Sequence, residues 1–235
     1  CAETLLLKKP YSNFIKFKKR KKMKYNYLLL GLIIFFSSCK VKVEKNSKPL
    51  MSKSVVLPAE GNYNLNTSKS TLTWTGREIT TKTHTGTIDI KSGNVKINSN
   101  KSVTGEVLLV MNTLKVTDLE GKSKEYLEGH LKSKDFFGVK DFPEAKLSFK
   151  SKNISEENNS IYFDGELTIK STTEKVSFEA TLKKGEPTLE AIASLTFDRT
   201  KFNVIYRSGG FFDDLGDKLI LDDIEVQMDI YADKI

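Results

Sequence analysis

The sequence predicts an all-β domain: an antiparallel sheet of about eight strands that closes into a barrel, with one short helical insertion. From Tyr63 onward, apolar and polar residues alternate with a period of two, and Gly, Asn and Ser stand at the breaks. Each run has one apolar face, which is typical of antiparallel strands that face a core on one side and water on the other. About eight such strands favour closure, because closure removes exposed sheet edges. A β-sandwich stays open as an alternative, since alternation alone does not establish closure.

The strands follow in chain order, beginning near Tyr63. Most are defined by the apolar positions of one face, whereas residues 103–116 form one nearly continuous apolar strand. These positions are Leu72 and Trp74; Ile88 and Ile90; Val95 and Ile97 after a Ser-Gly-Asn break; Val107, Leu108, Leu109, Val110 and Met111 in residues 103–116; Ala145, Leu147 and Phe149; Ile161 and Phe163, then Leu167 and Ile169 after a break at Asp164-Gly165; Val176, Phe178, Ala180 and Leu182; Ala193, Leu195 and Phe197; and Leu219, Leu221, Ile224, Val226, Met228 and Ile230.

One segment does not alternate. Residues 120–134 are rich in helix formers, with Tyr126, Leu127 and Leu131 as an apolar stripe, and Pro143 ends the turn that follows. This segment is the predicted helical insertion.

The charge of the chain is concentrated at its N-terminus. Residues 1–38 contain nine of the 38 Lys and Arg and one of the 30 acids, which accounts for the whole net charge of +8. Residues 39–235 are therefore neutral overall. Nucleic-acid binding by the folded part is disfavoured, because it requires a surplus of cations to neutralise phosphates.

The N-terminal segment has the pattern of a bacterial lipoprotein signal. Lys24 precedes an apolar run from Tyr27 to Phe36, which is too short to cross a bilayer, and Ser37, Ser38 and Cys39 follow. We interpret residues 1–38 as a signal segment and Cys39 as the lipidated residue. Residues 1–22 are either an extension of the gene model or a long basic n-region. The alternative is a plain secretory signal or a weak anchor. Residues 39–60, rich in Lys and Ser, are predicted to be a flexible tether to a domain at 61–235.

The sequence contains no recognisable catalytic or metal-binding pattern. Cys1 and Cys39 lie outside the predicted domain, so a disulfide, a thiolate nucleophile and a cysteine metal site are excluded there. His84 and His130 have no adjacent cysteine or fixed acidic partner, and we expect His84 on the polar side of a strand and His130 in the helical segment. We therefore predict no enzyme activity, no cofactor and no metal.

Ten of the 14 phenylalanines lie in the predicted domain, and several fall on apolar strand faces. Two interpretations remain open from the residues alone. The rings form a packed core, or they line an apolar cavity inside the barrel.

The predicted domain contains the distinctive run His130-Leu131-Lys132-Ser133-Lys134-Asp135-Phe136-Phe137, followed by Phe142-Pro143-Glu144-Ala145. This run resembles a motif of the YceI family, and it is the most specific of several such motifs. Tyr63-Asn64-Leu65 with Trp74, Asp164-Gly165-Glu166-Leu167 and the late motif from Phe197 to Phe202 extend the resemblance over residues 62–231. Family members often have Gly after the late motif, where this chain has Asn203. The resemblance implies a lipocalin-like β-barrel whose elongated apolar pore holds a polyisoprenoid.

These observations give one leading hypothesis and two others. The leading one is a binder or carrier of a long apolar lipid, in particular a polyisoprenoid, tethered to the membrane by Cys39 and facing the periplasm. The others are a ligand-free barrel acting as an envelope interaction or stress module, and an enzyme with an unrecognised site. The candidate head-group contacts are Arg77, Arg199 and Arg207, because Arg holds phosphate in a bidentate fork. The candidate ligand-binding residues are Trp74, Ile88, Ile90, Met111, Phe149, Phe163, Phe178 and Phe197.

Overall fold

The computed structural model describes residues 57–80, 82–155, 159–184 and 188–235. The predicted signal segment, Cys39 and most of the tether lie outside the described residues. The elements are nine strands and one helix: β1 (Gly61–Leu65), β2 (Thr71–Arg77), β3 (Thr83–Ile97), β4 (Val103–Val116), α1 (Gly121–Lys132), β5 (Glu144–Ser155), β6 (Ser160–Ile169), β7 (Thr172–Lys184), β8 (Thr188–Asp198) and β9 (Asp223–Lys234).

The nine strands fill eight positions of a closed antiparallel barrel. β1 pairs with the end of β3, Gly61 opposite Ile97, and β2 pairs with its beginning, Arg77 opposite Thr83. Both also pair with β9, so β1 and β2 share one position. The other strands pair with their sequence neighbours, and β3–β4 pairing completes the circle. The predicted eight-stranded barrel is confirmed, and the sandwich alternative is excluded.

Two strand breaks that the sequence predicts, at Gly93 and at Gly165, do not occur. At each of them the glycine lets a neighbouring group pack closely against the strand, and no turn forms. β3 runs through Gly93, where a Cβ would lie 2.6 Å from Leu65 Cδ2. β6 runs through Gly165, where a Cβ would lie 2.7 Å from the carbonyl oxygen of Ser148. A side chain at either position would overlap these atoms, so glycine is required there, and each strand continues through its glycine.

The last strand begins later than predicted. β9 starts at Asp223, so Leu219 and Leu221 belong to the preceding loop. The carbonyl oxygens of Ile220 and Leu221 accept hydrogen bonds from the buried Arg199 guanidinium. Strand pairing of this segment within the described residues is limited to an isolated bridge between Glu78 and Ile220, so it does not extend β9.

Asn203 explains one departure from the family pattern. It ends the 3₁₀ turn of Arg199–Phe202 with φ of 56°, in the left-handed region. Glycine is the residue best suited to this conformation, and asparagine is one of the few others that adopt it readily. The substitution therefore preserves the turn.

The two ends of the barrel differ. We call the end that carries α1 and the 199–222 loop the mouth, and the end that carries the 98–102 turn the base. α1 is fastened to the wall by Glu128, whose Oε1 accepts a hydrogen bond from the backbone N–H of Val116 at 2.8 Å. The predicted helix is confirmed, but only Leu131 of its apolar stripe is fully buried, and Tyr126 is exposed. No helix in the described part of the chain has the length and apolar character to cross a membrane.

Candidate functional site

The mouth half of the barrel contains a cavity of about 570 Å³. Its volume falls within the usual range of sites that bury small ligands. The inward faces of the strands supply an apolar wall, and one face of α1 closes part of the opening. The apolar wall includes Leu72, Trp74, Ile88, Val107, Met111, Leu114, Leu147, Leu167, Ile169, Leu195, Phe197, Val226 and Met228, and the opening is lined by Arg77, Glu78, His84, Lys122, Ser123, Tyr126, His130, Tyr206 and Arg207.

The base half of the barrel is almost filled. A second, apolar space of only about 60 Å³ lies there, and Leu57 and Pro58 contribute to its lining. Both alternatives left open by the sequence are therefore present in one barrel. The interior is open towards the mouth and packed towards the base.

The predicted ligand-binding residues divide between these two spaces. Trp74, Ile88, Met111 and Phe197 line the large cavity, whereas Phe149, Phe163 and Phe178 line the small one. Ile90 is buried but lines neither, and irregularities of the β3–β4 pairing lie on both sides of it. The structure thus does not bring the eight residues together as one site.

Three phenylalanines form the packing of the base half. The rings of Phe163 and Phe178 stack with centroids 5.0 Å apart, and Phe149 meets each of them edge-on at 5.2 and 5.7 Å. Phe149 pairs across the ladder with Gly105, where a Cβ would lie 2.6 Å from Phe149 Cζ. The glycine leaves the space that the Phe149 ring occupies.

Trp74 is fixed in a similar way in the mouth half. It pairs with Gly86, where a Cβ would lie 2.4 Å from Trp74 Cζ2 and 1.9 Å from the carbonyl oxygen of Lys115. The indole therefore lies directly on the backbone of β3. Its Nε1 is buried and has no hydrogen-bond partner among the described residues. The ring contributes an apolar surface to the wall.

All three candidate arginines reach the cavity, but Arg199 is fully engaged in structure. It is completely buried, and it donates to the carbonyl oxygens of Val204, Ile220 and Leu221 and to Asp222 Oδ1. Burial lowers the pKa of the guanidinium, and Asp222 and Asp198 oppose that shift. We therefore correct the expectation that Arg199 contacts a head group.

Arg77 and Arg207 differ in their partners. Arg77 holds Glu225 in a two-pronged ion pair, with Nη2 3.0 Å from Oε2, and this pair lowers the pKa of Glu225. Arg207 lies over the Tyr206 ring, 5.1 Å from its centroid, and has no ion-pair partner among the described residues. Of the three arginines, Arg207 is the one whose guanidinium fork is available.

Two histidines line the opening, one paired with an acid and one packed among rings. His84 Nδ1 lies 2.8 Å from Asp118 Oδ2. Burial raises the pKa of Asp118, but hydrogen bonds from the Thr85 backbone and from His84 outweigh that effect and lower it.

His130 meets Phe136 and Tyr206 edge-on at 4.9 and 4.6 Å, and burial lowers its pKa. The sequence does not reveal the acidic partner of His84, because Asp118 lies 34 positions further along the chain. Among the described residues, no three His, Cys, Asp or Glu side chains are grouped so as to hold a metal.

Sequence reasoning missed part of the cavity. Leu195 and Met228 line the cavity and show the same alternation as the eight candidate residues, so that pattern is a signal that identifies them. Lys122, Ser123 and Tyr206 line the opening from the helix and a loop, where no periodicity marks a residue as facing a cavity.

Comparison with known proteins agrees with this architecture. The YceI-like domain model matches residues 63–232. The crystal structure of Burkholderia cenocepacia BcnA is similar at a TM-score of 0.56 and 19% identity, over 71% of this chain and 98% of that one. A polyisoprenoid binding domain from Saccharophagus degradans, implicated in plant cell wall breakdown, is similar at a TM-score of 0.52 and 9% identity, over 75% of this chain and all of that one.

At these identities the structural similarities establish the fold alone, and no curated protein matches the chain. The family match carries more weight, because it covers most of the chain and nearly all of the barrel. On that basis, the chain belongs to the family of YceI-like domains.

Proposed function

We propose that this protein binds a long apolar lipid, in particular a polyisoprenoid, with the chain inside the mouth-half cavity. The observation that carries the proposal is the cavity itself: about 570 Å³ of space walled by aliphatic and aromatic side chains. Each buried methylene is stabilised by roughly 0.8 kcal/mol relative to water. A chain of linked isoprene units therefore gains much more from this space than a polar ligand would.

The similarity to the polyisoprenoid binding domain supports the choice of ligand class. Branched isoprene units also suit a wall built from branched aliphatic residues and rings. At the opening, Arg207 is our proposed contact for an anionic head group, because its guanidinium lies at the cavity entrance and on Tyr206.

We further propose that the protein is a lipoprotein of the bacterial cell envelope, facing the periplasm and held to a membrane by acyl chains on Cys39. This rests on the signal pattern in residues 23–39. Attachment would keep the barrel beside the source of its ligand, and more than one acyl chain is needed for firm anchoring.

Binding accounts for the site better than catalysis does. The wall of the cavity is built of aliphatic and aromatic side chains, and the polar residues among its lining, His84 and His130 included, stand at the opening. A ligand-free interaction module is also less consistent with the site, because an apolar space of this size gains nothing from being empty.

The test is to identify what co-purifies with the protein. Native mass spectrometry of the purified protein should show a bound species, and organic extraction should release an isoprenoid lipid. Addition of farnesol to delipidated protein should raise its melting temperature, because a ligand that binds only the folded state stabilises it. Absence of a bound lipid together with no response to any isoprenoid alcohol would refute the proposal.

A further inference from the structure

We propose that Phe149, Phe163 and Phe178 form a floor that limits the length of chain the barrel accepts, so that the ligand stops halfway along the interior. This inference rests on the proposed function. It concerns how deep the ligand reaches into the barrel. The three phenylalanines near the base would block the ligand there, and they would not line a binding site that runs the full length of the barrel.

The first observation is the division of the interior. The cavity in the mouth half measures about 570 Å³ and the space in the base half about 60 Å³. The base-half space is therefore about a tenth of the mouth-half cavity. The isoprene units of a bound chain have their room in the mouth half, and the packed base half offers little space for more.

The second observation is a layer of residues that separates the two spaces. Val107, Leu147 and Met228 line both of them. Val107 and Leu147 are direct partners on β4 and β5, whereas Met228 stands on β9, on the far side of the barrel. These side chains border both spaces from opposite walls, and they mark the level at which the large cavity ends.

The third observation explains why the floor is firm. Phe149 stands two residues nearer the base than Leu147 on the same strand, so the rings lie directly under this layer. The rings contact one another on three adjacent strands, and Phe149 is seated against Gly105. Opening a path through them would require several rings to change rotamer together in a packed interior, which is unfavourable.

Two alanines offer a matched test. Ala145 and Ala180 are both buried on strands, and Ala145 lines only the large cavity whereas Ala180 lines only the small one. Leucine at either position adds the same three carbons. Ala145→Leu should exclude about three carbons of ligand, and because each buried methylene is worth about fourfold in affinity, binding should weaken at least about tenfold. Ala180→Leu should leave affinity within about twofold.

The experiment titrates delipidated wild-type and variant proteins with geraniol, farnesol, geranylgeraniol and solanesol, and a thermal melt checks that each variant is folded. Affinity of the wild type should rise with chain length and then level off before solanesol. Phe149→Ala, which removes the ring above Gly105, should move that plateau to a longer chain.

The outcomes separate this inference from the proposed function. If no alcohol binds the wild type, the proposed function fails and the inference fails with it. If the alcohols bind but affinity rises through solanesol, or if Ala180→Leu weakens binding as much as Ala145→Leu, the ligand passes the rings. In that case the floor is wrong while the binding function stands.

Discussion

Arg199 Nη2 lies 3.0 Å from Asp222 Oδ1, while the second oxygen of the same carboxylate accepts a hydrogen bond from Ser208 at 2.9 Å. The buried guanidinium also binds three carbonyl oxygens of the 199–222 loop. The loop that borders the cavity opening is thus organised around one cation. Loss of that cation leaves several polar groups without partners at once.

We predict that Arg199→Met destabilises the protein by about 3 to 5 kcal/mol, as expected when one partner of a buried ion pair is removed. Urea denaturation measures this directly. Arg207→Met, at the same opening but without such bonds, serves as the control and should change stability by less than about 0.5 kcal/mol. Equal effects of the two substitutions would contradict the role assigned to Arg199.

Two glycines should respond to alanine in opposite directions. At Gly86 a Cβ would meet the Lys115 carbonyl oxygen and the Trp74 ring, so Gly86→Ala should destabilise by about 1 to 3 kcal/mol. At Gly129, an exposed position inside α1, a Cβ meets nothing within 4 Å. Gly129→Ala should therefore stabilise by about 1 kcal/mol through helix propensity. Both values follow from thermal or urea unfolding, and a destabilised Gly129→Ala would show that α1 is not an ordinary helix.

His130 should make the stability of the protein depend on pH. Burial lowers the pKa of His130 in the folded state, and its charged neighbours are Asp135 and Arg207. At a pH between the folded-state and unfolded-state pKa values, the unfolded chain therefore binds more protons than the folded protein does. Stability should therefore fall as the pH drops through the ordinary His range near 6.5.

The comparison for this prediction is His130→Gln, followed by urea unfolding between about pH 7.5 and pH 5.5. The variant should lose less stability than the wild type over that interval. Parallel curves for the two proteins would mean that His130 titrates alike in the folded and unfolded states.

Arg207 should distinguish charged from neutral ligands. A planar guanidinium holds a phosphate through two hydrogen bonds, which lysine cannot reproduce. Arg207→Lys should weaken farnesyl phosphate by about tenfold, the value of one good charged hydrogen bond, and leave farnesol unchanged. Arg77→Lys is the matched control, since Arg77 is already paired with Glu225. Equal losses for both ligands would remove Arg207 from the head-group site.

Processing of the N-terminus provides a prediction about location. If residues 1–38 are a lipoprotein signal, the mature chain begins at Cys39 and carries acyl chains. Intact-mass analysis should show that start and mass, and Cys39→Ser should move the protein from the membrane to the soluble fraction. A mature protein with an unmodified Cys39 would rule out this mode of attachment.

The alternation of residues was sufficient to predict most of the strands, because an inward-facing apolar residue recurs at every second position whatever the tilt of the strand. Closure into a barrel was favoured by the number of strands and not by the alternation. It was not sufficient to separate an open interior from a packed one. Phe163 and Phe197 carry the same signal, yet they line different spaces. The difference arises from their height in the barrel, because Phe163 lies near the beginning of β6, at the base, and Phe197 lies near the end of β8, at the mouth.

The arginines illustrate a second limit. Their rarity identified them as candidates, but their availability depends on partners that the fold supplies from elsewhere in the chain. Arg77 meets Glu225 across β2 and β9, and Arg199 is enclosed by the loop that follows it. No spacing in the sequence distinguishes these two from Arg207.

The position of β9 in the barrel sets the order of folding events. Ser70 Oγ donates to the carbonyl oxygen of Tyr231, a contact between residues 161 positions apart, and β9 joins β8 to β1 and β2. Contacts between residues so far apart in the sequence make folding slow, because the chain loses conformational entropy in closing the loop before those contacts stabilise it. A chain that emerges N-terminus first therefore has two open sheet edges until its last strand is available, and a nascent or truncated chain in that state is the form most prone to aggregate.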